Sequence, residues 1–132
     1  MSKTRQNTSV SRIPINIIIE DKEILKGELI RHLSPLTVSN ILKQLPLSGS
    51  IHYNFDSFCY IQTRLNIGAE KQKKTFSKGD ITLMTSTGSI CFILKEIITS
   101  YPMNHIGKIS FPANVDLLSN LKPTDAIKVI LE

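Results

Sequence analysis

Short runs of β-branched and apolar residues alternate along the chain with short polar segments, a pattern typical of strands joined by turns. Residues 15–19 are almost entirely β-branched and predict a central strand. The polar segment 20–22 predicts a turn, after which residues 24–30 predict a second strand. The chain therefore begins its folded part with a predicted hairpin.

One segment follows the helical period instead. Ser34 and Pro35 predict its start, because serine is a good N-cap and proline suits the first helical position. Apolar residues then recur at helical spacing until Pro46, which predicts the end. A second, short helix is predicted from Asn114 to the Pro123 stop. We expect both helices to cap a sheet or barrel.

Most of the remaining chain has strand character, and residues 95–104 are predicted to be a loop. About eight strands and two helices are expected in all. Beyond the hairpin, the strand segments are 51–53, 58–65, a short one ending at Phe76, 81–84, 90–94, 105–111 and 126–131. Many short strands separated by turns predict a β-sandwich or a closed barrel, and closure would remove exposed strand edges.

Length and charge indicate a simple organisation. The 132 residues suit one domain, predicted at 13–132. Residues 1–12 are polar, hold three basic residues and no acid, and predict a disordered basic arm. The arm accounts for three of the five excess positive charges, which leaves about +2 on the domain, sparse for a nucleic-acid footprint.

Composition also bears on location. No apolar run reaches the roughly 18 residues of a membrane span, and residues 1–12 contain no apolar core of a signal peptide. Cys59 and Cys91 are too few for a disulfide framework, and each lies within an apolar run. We expect two reduced, buried thiols and a cytoplasmic protein.

The second half contains an ordered set of motifs. Lys-Gly-Asp-Ile at 78–81 precedes a turn with Gly88, apolar Ile-Cys-Phe-Ile-Leu at 90–94, and Asn-His-Ile-Gly-Lys-Ile at 104–109. In order and spacing these motifs resemble the small prokaryotic cyclophilin-like family, and the resemblance covers 13–132. It implies a mostly β fold, namely a closed eight-stranded cyclophilin-like β-barrel with two short capping helices, as in peptidyl-prolyl isomerases.

The resemblance does not imply isomerase activity. Cyclophilins use an arginine on a barrel strand together with a tryptophan and a histidine in later loops. This chain has no tryptophan. Alignment of the Gly-Lys step at 107–108 puts Met103, not a histidine, near the histidine position. Phe92 matches an apolar wall residue of the proline pocket, and Arg64 lies on roughly the right strand.

The predicted strand 58–65 supplies the candidate site. By period two, Phe58, Tyr60, Gln62 and Arg64 share one face. The resemblance implies that the outer face of this strand forms a substrate groove. The predicted binding set is Tyr60, Gln62, Arg64, Met84, Phe92, Tyr101 and Met103. The alternative is that a barrel strand must present one polar face to water in any case.

No other catalytic or metal-binding pattern emerges from the sequence. His32, His52 and His105 are scattered, and no Cys-x-x-Cys pair exists, so neither a metal nor a cofactor is expected. Gly-x-Ser-x-Gly and phosphate-loop motifs are also lacking, and no catalytic residue is assigned.

Three functions are compatible with these observations. The first is a non-catalytic module that binds a small molecule or an extended, proline-containing peptide. The alternative is a divergent peptidyl-prolyl cis-trans isomerase with Arg64 as the donor. The second alternative is a nucleic-acid-associated protein that uses the basic arm and lysines 71, 73, 74 and 78. It is disfavoured because Phe76 alone lies among these lysines and stacking on bases needs more aromatic residues. No membrane partner is expected, and the oligomeric state stays open.

Overall fold

A computed structural model describes residues 11–132. They form ten strands, the helix α1 (Pro35–Gln44), and two 3-10 helices, Arg31–Leu33 and Pro112–Leu118. The strands are β1 (Arg12–Ile19), β2 (Glu23–Ile30), β3 (Leu47–Ser50), β4 (His52–Asn54), β5 (Phe58–Gln62), β6 (Lys73–Phe76), β7 (Asp80–Met84), β8 (Ser89–Ile93), β9 (Ile97–Ile109) and β10 (Ala126–Leu131).

Every strand pair in the sheet is antiparallel. The order is β3-β10-β1-β2-β9-β7-β8-β5-β4, and β6 pairs with β9 off this path. The predicted N-terminal hairpin is confirmed, with Ile15 opposite Gly27 and Ile19 opposite Glu23. Strand β9 is the longest, with 13 residues, and it pairs with β2, β6 and β7. The mostly β fold is therefore confirmed, with α1 and the 3-10 helix Pro112–Leu118 as its two longer helices.

The closed eight-stranded barrel is not confirmed. Ten strands are present, and the hydrogen-bonded order ends at β3 on one side and β4 on the other. These two end strands are nevertheless adjacent in the chain, because Ile51 alone separates them. Strand β3 also lies against β5, since a Cβ atom on Gly49 would be 3.4 Å from the Cβ of Ile61. The sheet thus curls until its two ends meet, without a continuous ladder.

Alternation along the strands gives the sheet two apolar faces. The main core lies on one face and includes Cys59 and Ile61 of β5, together with Phe92 of β8, which is 1% exposed. Val38 of α1 is fully buried against the same core. A smaller apolar cluster, called here the outer-face cluster, contains Phe58, Phe76, Met84, Cys91, Ile93 and Met103. Since neighbouring residues on β5 and β8 fall in different clusters, both faces of these strands are covered.

Several predicted boundaries were wrong. Strand β5 ends at Gln62, so the predicted strand 58–65 is too long, and Arg64 follows it with a left-handed φ of 62°. The predicted loop 95–104 is mostly the first part of β9. Strand β3 was missed, because the small polar residues of Leu47–Ser50 give no apolar alternation. The predicted short helix from Asn114 is a 3-10 helix that begins at Pro112.

The predicted N-terminal arm lies mostly outside the described residues, which begin at residue 11. Arg12, which was assigned to the arm, is instead the first residue of β1. It lies opposite Ile30 of β2 and forms an ion pair with Glu28. Arg12 therefore belongs to the hairpin, where the cross-strand acid Glu28 pairs with it.

Gly107 allows the closest approach between strands. A Cβ atom at this position would lie 2.1 Å from the backbone oxygen of Glu28 and 3.0 Å from the Cα of Leu29. Both are backbone atoms of β2, so they cannot move aside without shifting the strand. The glycine of the Gly-Lys step is thus required for β9 to pack against β2.

We predict that Gly107→Ala lowers the free energy of unfolding by at least about 3 kcal/mol, because the new methyl group forces β9 away from β2. Urea denaturation measures the change. Gly68→Ala is the matched control, since a Cβ there meets nothing within 4 Å. It should change stability by no more than about 0.5 kcal/mol. Equal effects in the two variants would contradict this account of Gly107.

Candidate binding site on the outer face of the sheet

The outer-face cluster forms the base of the candidate site. Its residues come from five strands, which together form one small apolar layer: Phe58 begins β5, Phe76 ends β6, Met84 ends β7, Cys91 and Ile93 lie on β8, and Met103 lies on β9. Inside it, the Thr82 hydroxyl donates to the Met103 sulfur at 3.4 Å. The buried Thr82 hydroxyl thus has a hydrogen-bond partner inside the layer. The layer itself gives an apolar surface on which a ligand can pack.

Tyr101 lies at the surface of this layer. Tyr101 is 43% exposed, and its hydroxyl donates to the Met84 sulfur at 3.7 Å. The Thr87 hydroxyl donates to the same sulfur at 3.5 Å. Burial raises the pKa of the Tyr101 phenol, and the nearby Cys91 and Tyr60 raise it further. Tyr101 is therefore a neutral donor with a partly exposed ring.

Two clefts border Tyr101, and it lines both. Cleft A has a volume of about 260 Å³ and lies between the β4–β5 turn and the start of β9. Cleft B has a volume of about 350 Å³ and lies where β7 ends. Cleft A is lined by Asn54, Ser57, Phe58, Ile97, Ile98, Thr99, Ser100 and Tyr101. Cleft B is lined by Gln72, Met84, Thr85, Ser86, Tyr101 and Pro102.

The structure brings together four residues of the predicted binding set. Met84 and Met103 are members of the outer-face cluster, and Tyr60 packs against it. Tyr60 also stacks on His52, with ring centroids 5.4 Å apart. Tyr101 completes the group through its bond to Met84. These four share one face of the sheet, as the strand period predicted for Tyr60.

The other three predicted residues lie elsewhere. Phe92 pairs with Cys59 and faces the main core, so it lies on the opposite face from Tyr60. Gln62 is exposed at the end of β5 and lines neither cleft. Arg64 is exposed beyond the end of β5, so it does not share the strand face of Tyr60. Arg64 was included because β5 was predicted three residues too long, and Phe92 was included through the family resemblance rather than through the alternation of β8.

Sequence reasoning missed most of the cleft residues. Ile97, Ile98 and Thr99 are consecutive β-branched residues, and that run could have predicted a strand where a loop was expected. Gln72 and Ser86 gave no comparable signal. They reach cleft B through the loops that precede β6 and follow β7.

The loop before β6 is fixed at one point by Glu70. Its carboxylate accepts hydrogen bonds from the Thr37 backbone at 2.8 Å, the Thr37 hydroxyl at 2.7 Å and the Leu36 backbone at 3.0 Å. Glu70 thus caps the start of α1. The predicted cap, Ser34, makes no capping bond and donates instead to the His105 carbonyl at 2.8 Å. The Glu70 carboxylate, which is distant in sequence, thus caps the helix in place of the Ser34 hydroxyl.

The side chain of Asn104, on β9, forms hydrogen bonds to the same loop. Its side-chain oxygen accepts from the Glu70 backbone at 3.0 Å, and its amide donates to the Thr37 hydroxyl and the Gly68 carbonyl, both at 3.0 Å. Asn104 is fully buried. Because Gln72 follows Glu70 by two residues, this network sets the position of one wall of cleft B.

A second polar group lies at the start of β7. The Ser77 backbone donates to Asp80 at 2.8 Å, which closes the turn, and the His105 ring nitrogen Nε2 lies 3.5 Å from the other Asp80 oxygen. Burial raises the pKa of Asp80, but the bonds from His105 and Ser77 outweigh it, and the net pKa is lowered. Asp80 acts in the turn, and neither residue lines either cleft.

Burial raises the pKa of both cysteine thiols, Cys59 and Cys91, to about 12, so both are protonated at neutral pH. Among residues 11–132, no group of three or more histidine, cysteine or acidic side chains could hold a metal ion. Within the same residues, no helix is long and apolar enough to cross a membrane.

Comparison with known proteins agrees with the architecture. The sequence profile of the Cyclophilin-like family matches residues 27–132. The solution structure of the hypothetical protein AF2241 from Archaeoglobus fulgidus is similar, with a TM-score of 0.75 and 18% identity over 92% of this chain and 96% of that one. The structure of McbB in complex with tryptophan has a TM-score of 0.70 and 14% identity over 89% of this chain and 44% of that one. No curated protein matches.

We predict that Glu70→Gln destabilises the protein by about 1–2 kcal/mol, because the neutral amide caps α1 less well than the carboxylate. Burial raises the pKa of Glu70, but the bonds from Leu36 and Thr37 outweigh it, so the folded-state pKa lies below the ordinary value of 4.5. The stabilisation is therefore complete above pH 4.5 and is lost as pH falls through the folded-state pKa.

Urea denaturation between neutral pH and pH 3–4 measures both effects. The variant should lose stability at neutral pH and show a weaker decline with acidification. Glu23→Gln, at an exposed position on β2, is the control and should leave neutral-pH stability unchanged. An identical acid dependence in the wild type and Glu70→Gln would show that the cap does not depend on charge.

Proposed function

The chain belongs to the cyclophilin-like family, and from that starting point we propose that it is a non-catalytic module that binds a small amphipathic molecule in cleft B. The observation that supports this most strongly is Tyr101. It is a partly exposed aromatic ring above an apolar floor, and its hydroxyl is directed onto Met84. An aromatic ligand could pack on this ring and on the methionine sulfur.

The lining of cleft B favours binding over catalysis. Its polar groups are the Gln72 amide and the hydroxyls of Thr85 and Ser86, all neutral hydrogen-bonding groups. Tyr101 contributes the one titratable side chain among the six lining residues, and its pKa is raised. General acid–base chemistry at neutral pH needs a group that titrates near that pH, and this cleft has none in its lining.

The isomerase alternative receives less support from the geometry. The proposed donor, Arg64, follows the end of β5, and the proposed pocket wall, Phe92, faces the main core. An isomerase pocket needs both at one place on the outer face. Fold similarity alone does not supply an activity.

Tryptophan is the first probe to use. A structure with a similar fold was obtained in complex with tryptophan. An indole ring with one polar end also matches a cleft that combines Met84 and Tyr101 with an amide and two hydroxyls. Because the identity between the two chains is only 14%, we use the similarity to choose the probe and transfer no residue role from that protein.

We predict that L-tryptophan causes saturable chemical-shift changes in the Met84 methyl group and the Tyr101 ring, because the indole would lie on both. Tyr101→Ala should weaken binding at least about tenfold, as loss of an aromatic contact commonly does. Nuclear magnetic resonance titration of the two proteins measures the difference.

Phe111→Ala is the matched control, since Phe111 is also an exposed aromatic residue but lines neither cleft. It should bind tryptophan as the wild type does. Shifts that spread over the whole surface, or that survive Tyr101→Ala, would contradict binding in cleft B. A screen of other aromatic acids and amines would then be the way to identify a ligand.

We also predict no acceleration of proline isomerisation above the spontaneous rate. The uncatalysed reaction takes tens to hundreds of seconds at 25 °C, so a protease-coupled assay detects a modest acceleration. A clear rate in the wild type that disappears in Arg64→Ala would restore the isomerase alternative and place a substrate beside Arg64.

A further inference from the structure

Phe55 combines two features that do not favour folding. It begins the turn between β4 and β5 with a backbone φ of 54°, in the left-handed region that bulky residues rarely adopt. Phe55 is 89% exposed, so burial does not compensate for the strained backbone. Glycine or asparagine would suit this turn better. A strained and exposed aromatic residue indicates a role outside the fold.

The turn that holds Phe55 forms one side of cleft A. Asn54 and Ser57, on either side of Phe55 in the chain, both line the cleft. Ile98 lines it from β9 and is 80% exposed. With Tyr101, two exposed side chains line this concave site, and the exposed Phe55 lies in the turn that forms one of its sides. Single exposed apolar residues are common, whereas a group around a cleft is typical of a contact surface.

The lining of cleft A alternates between apolar and hydrogen-bonding groups. Asn54, Ser57, Thr99 and Ser100 supply an amide and three hydroxyls, and Phe58 and Ile97 supply apolar surface. The main-chain amides of an extended peptide need hydrogen-bonding partners, and an anchoring side chain needs apolar surface. A volume of about 260 Å³ suits one large side chain rather than a whole folded element.

Charge beside the cleft specifies the peptide further. Thr75 of β6 pairs with Ile98, and the Thr99 hydroxyl donates to the Lys74 carbonyl, so β6 adjoins the cleft. Residues 71–78 hold four lysines and no acid. Lys78 forms an ion pair with Asp116 at 3.0 Å and Lys71 donates to the His32 carbonyl, so the positive charge of β6 itself comes from Lys73 and Lys74. On the other side, Asp56 is neutralised by Lys95 at 3.0 Å. The excess positive charge along β6 complements an acidic partner.

From these observations we infer that cleft A, with Phe55 and Ile98 at its rim, docks an extended peptide that carries one large apolar anchor flanked by acidic residues. The anchor enters the cleft, and the acidic residues face the lysines of β6. This surface is separate from cleft B, except that Tyr101 lines both clefts.

A nucleic acid fits the same lysines less well. Phe76 is the aromatic residue within the lysine segment, and it is 1% exposed, so it cannot stack on a base. Binding to single strands combines a basic groove with exposed aromatic rings, and the exposed rings near cleft A, Phe55 and Tyr101, lie outside the lysine segment. Single-stranded DNA is therefore the competing probe in the experiment.

The test is an array of ten-residue peptides in which a central Leu, Phe or Trp is flanked by Glu, Ser or Lys. The strongest peptides are then titrated by fluorescence anisotropy at low and high salt. We expect apolar centres with Glu flanks to bind most tightly, and the affinity to fall as salt rises. Single-stranded DNA of similar length should bind more weakly.

Phe55→Gly separates a docking role from a structural one. Glycine accepts a φ of 54° without strain, so the variant should be at least as stable as the wild type while binding the best peptide at least tenfold more weakly. Lys74→Glu should weaken peptides with Glu flanks and leave those with Ser flanks unchanged. Lys43→Glu, an exposed lysine on α1, is the charge control and should change neither.

Four results would overturn the inference. They are an array in which no peptide binds, a Phe55→Gly variant that loses stability but keeps its affinity, tighter binding of single-stranded DNA than of any peptide, and a dimer in sedimentation that Phe55→Gly dissociates. The last result would make the surface a contact between copies. Since Phe55 does not line cleft B, Phe55→Gly should still bind tryptophan if the proposed function holds.

Discussion

The structure depends on the close approach of β9 to β2 at Gly107. Among residues 11–132, strand β9 alone pairs with three others, and the backbone of Glu28 occupies the space where a side chain at position 107 would lie. At this contact the hairpin β1–β2 joins the half of the sheet that contains β5, β7 and β8. The first half of β9 then continues to the outer face, where it supplies Tyr101 and Met103.

How far the sequence predicts this fold depends on the residues involved. Hairpin β1–β2 and helix α1 were predictable because their apolar periods are strong and their ends carry turn and proline signals. The last strand, β10, was predicted at the bounds that the structure gives it, because Ile127, Val129 and Leu131 alternate clearly. Strand β3 was not predictable, since Leu47–Ser50 is held in place by β10 and β5 rather than by its own pattern.

In the candidate site, too, features set by a local pattern were predictable and features set by distant contacts were not. Strand period predicted the face of Tyr60, because alternation is a local property, whereas Met84 and Met103 were included through the family resemblance and its Gly-Lys alignment. Phe92 was included through the family resemblance, and the pattern of β8 could not correct that choice, because every residue of this strand is buried and no exposed polar residue marks either face. The cap from Glu70 and the support from Asn104 involve residues 33 and 34 positions apart, and single-sequence patterns do not report such pairs.

The meeting of β3 and β4 at Ile51 also affects how copies of this protein behave at high concentration. The two ends of the strand order belong to one stretch of chain, and Gly49 places β3 against β5. That edge of the sheet thus faces its own molecule and is a poor template for a strand from another chain. Of the remaining edges, β6 begins with two exposed lysines, and lysines on an edge strand resist edge-to-edge pairing. The fold thereby limits uncontrolled strand addition by geometry at one edge and by charge at another.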